Sequence, residues 1–399
     1  MLHDHIYFDY AATAPLCEAS REVLQQFYAE SPDALTLNAN ANSLHSDGRT
    51  AFAKLEEARA TIAQSLSVRP PEIVFTSGAT ESDNLALCGV IRAARRKNPQ
   101  LVPHIITTQI EHDAVYLMAN KLESSGEARV TYVAPHKDGS IDAKDIEAAL
   151  EEATVLVSVI AADNETGVIQ DLAAIGKTAH AAHVLFHADC SQAYGKVPLD
   201  FSSLDIDLAS FSAHKIGGPK GVGALYIKSQ TPIEAQIIGG GQEGGMRSGT
   251  QNVAGACAFA AAVQSLCLEE SLIEENAAHM MNLRDGLYAG FLSHKGVHAS
   301  VDCPTGSKKY LPNIVNVCVE GVESETLILQ FDLAGIAVSG GSACSSHSLD
   351  ASRTLCALGI PYDLALGSLR ISLGYQSSED EVRRCLAVFS SILDSFQRS

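Results

Sequence analysis

Lysine 215 lies between a histidine and a glycine-rich stretch, in Ser212-Ala213-His214-Lys215-Ile216-Gly217-Gly218-Pro219-Lys220-Gly221, after an apolar run that reads as a buried strand. A solvated surface charge explains that setting poorly. A partly desolvated lysine is the nucleophile that Schiff-base formation with a carbonyl requires. Earlier in the chain, His187-Ala188-Asp189-Cys190-Ser191-Gln192 follows apolar residues 184–186. That places Asp189 at the carboxyl end of a strand, the usual ligand edge of an open α/β sheet. A carboxylate there can hold a ring nitrogen protonated, although this segment standing alone would read as a turn aspartate. A third segment, Ser77-Gly78-Ala79-Thr80-Glu81-Ser82, joins a strand to a helical stretch over 83–96. Strand, glycine turn and hydroxyl-rich helix start make an anion site, because free N–H groups and the helix dipole converge there. An ordinary N-cap is an equally good reading of this motif by itself.

Anion cup, ring-nitrogen carboxylate and Schiff-base lysine, in this order on an α/β chain, are together what pyridoxal 5'-phosphate needs. The elements that must position them are legible as short β-branched runs at 72–76, 104–108, 129–133, 155–160, 183–187, 206–210 and 224–227. Helical patterns lie between them. One covers 49–67, with Phe52, Leu55, Ala58, Ile62 and Leu66 expected on one face, and another covers 142–152 behind an acid-rich first turn. Alternating strand and helix predicts a largely parallel sheet covered on both faces. From about Gln251 the pattern changes to long helices over 252–268 and 272–293, then short strands near 314–319 and 369–372, which predicts a smaller α+β unit.

Composition narrows the function classes. The net charge is −19 at pH 7, a balance that repels nucleic-acid phosphate and anionic membrane surfaces, so neither direct nucleic-acid binding nor a membrane role is expected. Hydrophobic residues are 46% and charged residues 19%, which excludes a disordered chain. The ten cysteines form no CxxC pair or metal-ligand spacing, so no metal site is expected and most should be small buried hydrophobes. The opening MLHDHIYFDY has no apolar core, and residues 253–263 are too few to span a bilayer, so a cytoplasmic protein with reduced thiols is expected. There the sequon at Asn164 has no glycosylation meaning. Gly176-Lys177-Thr178 ends like a nucleotide-binding P-loop, but Asp171 stands where its first glycine belongs and the triplet lies in a helical pattern.

At this point the chain resembles fold-type I pyridoxal-phosphate enzymes of aminotransferase class V, and more narrowly cysteine desulfurases of the NifS/IscS group. The resemblance runs almost end to end: YFDYAATAP, NANSLHSDGR, FTSGATESDNLAL, IEHDAV, DNETGVIQDL, HADCSQAYGKVPLD, SAHKIGGPKGVGALY, GGGQEGGMRSGTQNV, VSGGSACSS and SLRISLG. GSACSS is specific to desulfurases of the first group; the histidine-rich sequence of the second group is absent. The resemblance implies a large cofactor-binding domain over 17–260 and a small domain formed by 1–16 and 261–399. It implies that Lys215 holds the cofactor, that Asp189 partners the pyridinium nitrogen and that Gln192 donates to the ring hydroxyl. Ala79, Thr80, Ser212 and His214 match phosphate-binding positions. His112 matches the histidine that stacks on the ring, though a lone histidine at a helix start is commonly satisfied locally. Thr250 matches a residue that reaches the phosphate of a neighbouring subunit, implying a homodimer. Asn164 and Arg370 match groups near the substrate carboxylate, a planar anion that suits an arginine fork.

Cys344 matches the nucleophile, and its Gly/Ser-rich surroundings predict an exposed loop rather than a core. The implied activity is conversion of L-cysteine to L-alanine, with a persulfide on Cys344 passed to an acceptor such as an iron-sulfur scaffold or a tRNA-thiolation enzyme. Three positions depart from the usual pattern: Asp163 replaces an asparagine, Ala41 a proline and Gly340 a serine. None of them removes a reactive group. Competing readings are an aminotransferase or selenocysteine lyase, which would not need Cys344, and a non-catalytic phosphate-ligand protein.

Overall fold

The structure is a computed structural model that describes residues 5–340 and 350–397. After a short strand β1 (Ile6–Tyr7) come helices α1 (Glu18–Phe27), α2 (Pro32–Leu37) and α3 (Ser46–Ser65). Seven strands then build the large sheet: β2 (Ile73–Thr76), β3 (His104–Thr108), β4 (Arg129–Val133), β5 (Thr154–Ile160), β6 (Leu185–Asp189), β7 (Leu208–Ser212) and β8 (Gly223–Ile227). Helices α4 (Ala79–Lys97), α5 (Asp113–Ser124), α6 (Ala143–Ala149) and α7 (Leu172–Ala181) make the crossovers. The spatial order is β2-β8-β7-β6-β5-β3-β4. Every pairing is parallel except those of β8, which runs against both β7 and β2. The carboxyl ends of β2, β3, β5, β6 and β7 therefore share one edge, and β8 begins there.

Buried apolar strands and helices explain the layering. Ile105, Ile106, Leu156, Val157, Phe186, Ala188 and Phe211 are wholly excluded from water in the sheet, consistent with strands covered on both faces. Helix α3 buries Ala51, Leu55, Ala58 and Ile62, with Leu66 just beyond its end, but leaves Phe52 49% exposed. The expected face was drawn too wide. The stripe is centred on Ala51, Leu55 and Ile62, and at about 100° per residue Phe52 lies one step round from Ala51 toward solvent.

Beyond the large sheet come α8 (Val253–Leu266), α9 (Glu270–Leu292), β9 (Val297–Ala299), β10 (Ile314–Val319), α10 (Ser324–Leu333), β11 (Ile336–Ala337), α11 (Arg353–Ala357), α12 (Tyr362–Ala365), β12 (Ser368–Ser372) and α13 (Glu379–Gln397). Helix α8 joins the apolar cluster of the large sheet. Strands β12-β10-β9 form an antiparallel sheet with its own cluster, in which the Phe291 and Phe389 rings meet edge to face at 4.7 Å with Phe331 beside them. β1 pairs in parallel with β11, and Asp9 bridges to Ser372, so residues 6–12 run from the small sheet toward the edge of the large one. Among the described residues no single helix is long and apolar enough to cross a membrane.

Candidate active site

Helix α4 starts at the carboxyl end of β2, and its N-cap is Gly78, which has no side chain to cap the first turn. The N–H groups of Ala79, Thr80 and Glu81 are left without intrahelical acceptors, as at any helix start. Close approach of β8 makes the cradle compact. A Cβ on Gly223 would lie 2.4 Å from the Phe211 carbonyl oxygen and 2.6 Å from Gly78 Cα, so only glycine fits. Ser77, Gly78, Ala79, Thr80 and Ser212 line one end of a cavity of about 390 Å³ whose other walls include His112, Asn164, Asp189, Gln192, His214 and Lys215.

Each polar wall is held from behind. Asp189 closes β6, and its Oδ1 accepts from the Ser191 N–H at 3.0 Å and the Ser191 hydroxyl at 2.6 Å, which fixes the carboxylate plane. Lys215 follows β7 in a short 3₁₀ turn, and its Nζ donates to the carbonyls of Ala11 at 2.5 Å and Ala12 at 3.1 Å. Gln192 Nε2 donates to the same Ala11 carbonyl at 2.8 Å. Behind it Lys196 donates to the Gln192 carbonyl at 2.9 Å and to its Oε1 at 3.3 Å. Burial, then the charge of Lys215, pushes Lys196 down to about 7. Burial and the lysines at 215, 220 and 196 push His214 down to about 4, so its ring is neutral near pH 7; its Nδ1 lies 3.1 Å from Thr13 Oγ1.

Under this edge lies a buried acidic layer. Burial pushes Glu111 up to about 8, with nearby Asp189 adding to the effect; Thr108 and the Ile160 N–H bond its Oε1, while Oε2 has no partner. Asp83 is wholly buried, and burial followed by Asp189 raises its carboxyl well above the usual range. His187, 3.6 Å from Asp83, is pushed down to about 4 by burial and is held between the hydroxyls of Ser158 and Ser210. Burying a carboxylate in apolar surroundings is costly, so burial favours the protonated form of both acids and limits negative charge around Asp189.

His112 caps α5: its Nδ1 accepts from the Ala114 N–H at 3.1 Å. The local satisfaction expected of a helix-start histidine is present, and it leaves the neutral ring's proton on Nε2. Arg370 comes up from β12, 1% exposed, donating to the Asn164 carbonyl at 2.9 Å and to Asp9 at 3.1 Å, while its Nε has no partner.

The class-V aminotransferase family model matches residues 6–385 of this sequence. The chain belongs to the class-V aminotransferase family. Within it the chain is 43% identical over 379 residues to cysteine desulfurase IscS of Klebsiella pneumoniae, covering 94% of this chain and 90% of that protein. It superposes with TM-score 0.87 on a NifS-like protein at 35% identity, covering 98% of this chain and 99% of that one. It superposes with TM-score 0.77 at 30% identity on SspA in complex with cysteine, covering 94% of this chain and all 100% of that one.

Class-V aminotransferases work with pyridoxal phosphate, and the residues present fit it: an uncapped helix start for a phosphate, a buried carboxylate for a ring nitrogen, and a lysine in one cavity with both. Of the expected site residues, Ala79, Thr80, His112, Asn164, Asp189, Gln192, Ser212, His214 and Lys215 line that cavity. Arg370 lies behind Asn164, whereas Thr250 is exposed outside the cavity. Cys344 lies outside the described residues. Sequence reading missed Lys196, Glu111 and Asp83 as parts of the network, although all three stand inside motifs that carried the family resemblance. It also missed the Ala11 and Ala12 carbonyls, because main-chain acceptors leave no mark on residue type.

Proposed function

We propose that this chain is a pyridoxal-phosphate-dependent cysteine desulfurase that converts L-cysteine to L-alanine and carries the released sulfur as a persulfide on Cys344. The observation that carries the reading is the meeting of an anion cradle, Asp189 and Lys215 in one cavity on a chain 43% identical to a cysteine desulfurase. When bound, the cofactor supplies an electron sink for the substrate's α-carbon. The first-turn N–H groups of α4, with Ser212 and His214, would hold its phosphate; Asp189 would keep a proton on its ring nitrogen; Gln192 would donate to its ring hydroxyl. Arg370 and Asn164 orient the substrate carboxylate.

Lys215 Nζ would take the α-proton of L-cysteine, and the Ala11 and Ala12 carbonyls direct it. His112 Nε2 moves a proton at the thiol. The Cys344 thiolate attacks the substrate sulfur: an S–S bond forms, the C–S bond breaks, and its electron pair stays on carbon, which takes up a proton to become the methyl group of alanine. Two competing thiols are disfavoured as thiolates. Burial raises Cys190 well above its ordinary value, and burial also raises the exposed Cys356.

The finer reading extends to a cytoplasmic homodimer in which the exposed Thr250 completes the neighbour's phosphate site. Its large unit is 17–260 and its small unit 1–16 with 261–399, and the sulfur acceptor is an iron-sulfur scaffold or a tRNA-thiolation enzyme. The test is Cys344→Ser. It should keep the cofactor's visible band and bind L-cysteine, form no protein persulfide, and release alanine at a residual rate. Persulfide in that variant, or on Cys190 or Cys356 in the unsubstituted enzyme, would refute the assignment.

A further inference from the structure

The segment bearing His112 is gripped from outside by one side chain that no motif pointed to. Arg353, the first residue of α11, donates to the carbonyl of Gln109, to the carbonyl of Glu111 at 2.6 Å and to Asp113 Oδ1 at 3.2 Å. Its guanidinium carbon also lies 3.8 Å from the centre of the Tyr116 ring. These contacts bracket His112 on both sides: Glu111 precedes it, Asp113 follows it, and Tyr116 lies one turn further along α5. The capping bond from His112 to Ala114 fixes the ring to the start of its own helix, but it does not fix that helix start to the rest of the protein. The side chain of Glu111 does so from within, by its bonds to Thr108 and to the Ile160 N–H, and Arg353 does so from without.

The residue before Arg353 makes the complementary contact, to the segment that carries Asn164. Ser352 donates to Glu165 Oε2 at 2.5 Å and caps α11 by accepting from the Leu355 N–H at 3.2 Å. Glu165 adjoins Asn164, and its N–H is held by Asp163 Oδ1 at 3.1 Å. Two consecutive residues thus tie the His112 segment and the Asn164 segment, both of which line the cavity, to one helix start.

We propose that Arg353 is a positioning residue which, together with Ser352, sets His112 against Asn164 across the cavity. Its planar fork spans two carbonyls and a carboxylate while its face stacks on Tyr116, a combination lysine does not reproduce. The inference rests on the reading of His112 as a group that acts on the bound reactants, and the experiment separates the two.

Arg353→Gln, Arg353→Lys, His112→Gln and the Arg353→Gln/His112→Gln pair are assayed as cofactor-loaded enzymes for alanine release from L-cysteine. Visible absorption and thermal unfolding are recorded for each. Arg353→Gln should lower kcat by about 10- to 100-fold, the scale of a misplaced catalytic group, with KM little changed and the cofactor band intact. Arg353→Lys should recover only part of the rate. The paired variant should be no slower than His112→Gln alone, since a residue that acts through another adds nothing once that other is gone. Normal kcat in Arg353→Gln beside a slow His112→Gln would overturn the clasp alone, and so would losses that multiply in the paired variant. A normal rate in His112→Gln would overturn the role of His112 and the clasp with it. Should Arg353→Gln not fold, Tyr116→Leu removes only the stacking: a smaller loss that disappears on the His112→Gln background is expected, and a normal rate refutes the proposal.

Discussion

The two sheets handle polarity differently. The carboxyl edge of the large sheet holds Asp83, Glu111, His187, Asp189 and Lys196, all of them buried. The small sheet turns an apolar face to its helices, where Val315, Val317, Leu369 and Ile371 are wholly excluded from water with Phe291, Phe331 and Phe389 against them; its other face buries Asn316, Ser368, Ser372 and the cation Arg370, which leaves along β12 toward Asn164. Burying titratable groups costs free energy that only a large apolar core can offset. The larger core therefore bears most of the titratable groups near the cavity, and the smaller one buries two arginines, Arg284 on α9 and Arg370 on β12, of which only Arg370 reaches Asn164.

The comparison breaks most visibly at Lys215. Lys215→Ala should remove the Schiff-base absorption band and lower turnover by at least about a thousandfold, while the unfolding transition moves little. A transition lowered as far as a core variant's would mean that the polar edge is also the main source of stability. The converse change is Phe389→Ala. Loss of a wholly buried ring should cost about 3–5 kcal/mol by urea unfolding, with the cofactor band retained in the folded protein. Loss of the band without loss of stability would show that the small core, too, is tuned for chemistry.

A finer test uses pH. Burial pushes Glu165 up to about 8 from an ordinary 4.5, so the folded protein holds a proton that the unfolded chain has released. That contribution is fully present below about 4.5 and is lost as pH rises toward 8; Glu111 behaves alike. Lys196, lowered to about 7 from 10.5, has the opposite sign, so its contribution is lost as pH falls through 7. His187 and His214, lowered to about 4 from 6.5, offset the two glutamates up to about pH 6.5, so the net loss of stability should lie between about pH 6.5 and 8. Glu165→Gln, which keeps an acceptor for Ser352, should flatten that fall. An unchanged slope in melting temperature against pH would mean that Glu165 is ionised in the folded state.

Where side chains were apolar and β-branched the strands were legible to the residue, as at β3, β4 and β10. Strands β6 and β7 end two residues later than their expected limits, at Asp189 and Ser212. Polar residues that read as loop belong to the ladder because the site needs them at its edge. Helix α4 likewise starts at Ala79 rather than Asp83, which places Asp83 in its second turn, deep in the core. The reversal of β8 was hidden by the alternating pattern, although the ten residues joining it to β7 leave no room for a crossover helix. Residues that line the cavity stood out in the sequence because their types are unusual in their settings. Arg353 was not, since its partners are main-chain carbonyls of Gln109 and Glu111 more than two hundred positions away.

The run of residues 6–12 ties the history of the molecule to its chemistry. The Ala11 N–H donates to the Ser372 hydroxyl, and that hydroxyl donates to the Phe8 carbonyl, across 361 and 364 residues of chain. The carbonyls of Ala11 and Ala12 are the seat of Lys215. At a synthesis rate of roughly 5–20 residues per second, this stretch leaves the ribosome on the order of tens of seconds before the strand that locks it. The nascent large sheet can form its crossovers early and bond this segment at Gln192, His214 and Gly217, but the bonds to Ser372 form only once β12 emerges. The last ties on the seat of Lys215 are thus the longest in sequence, and they join the two sheets at the point where the cavity begins.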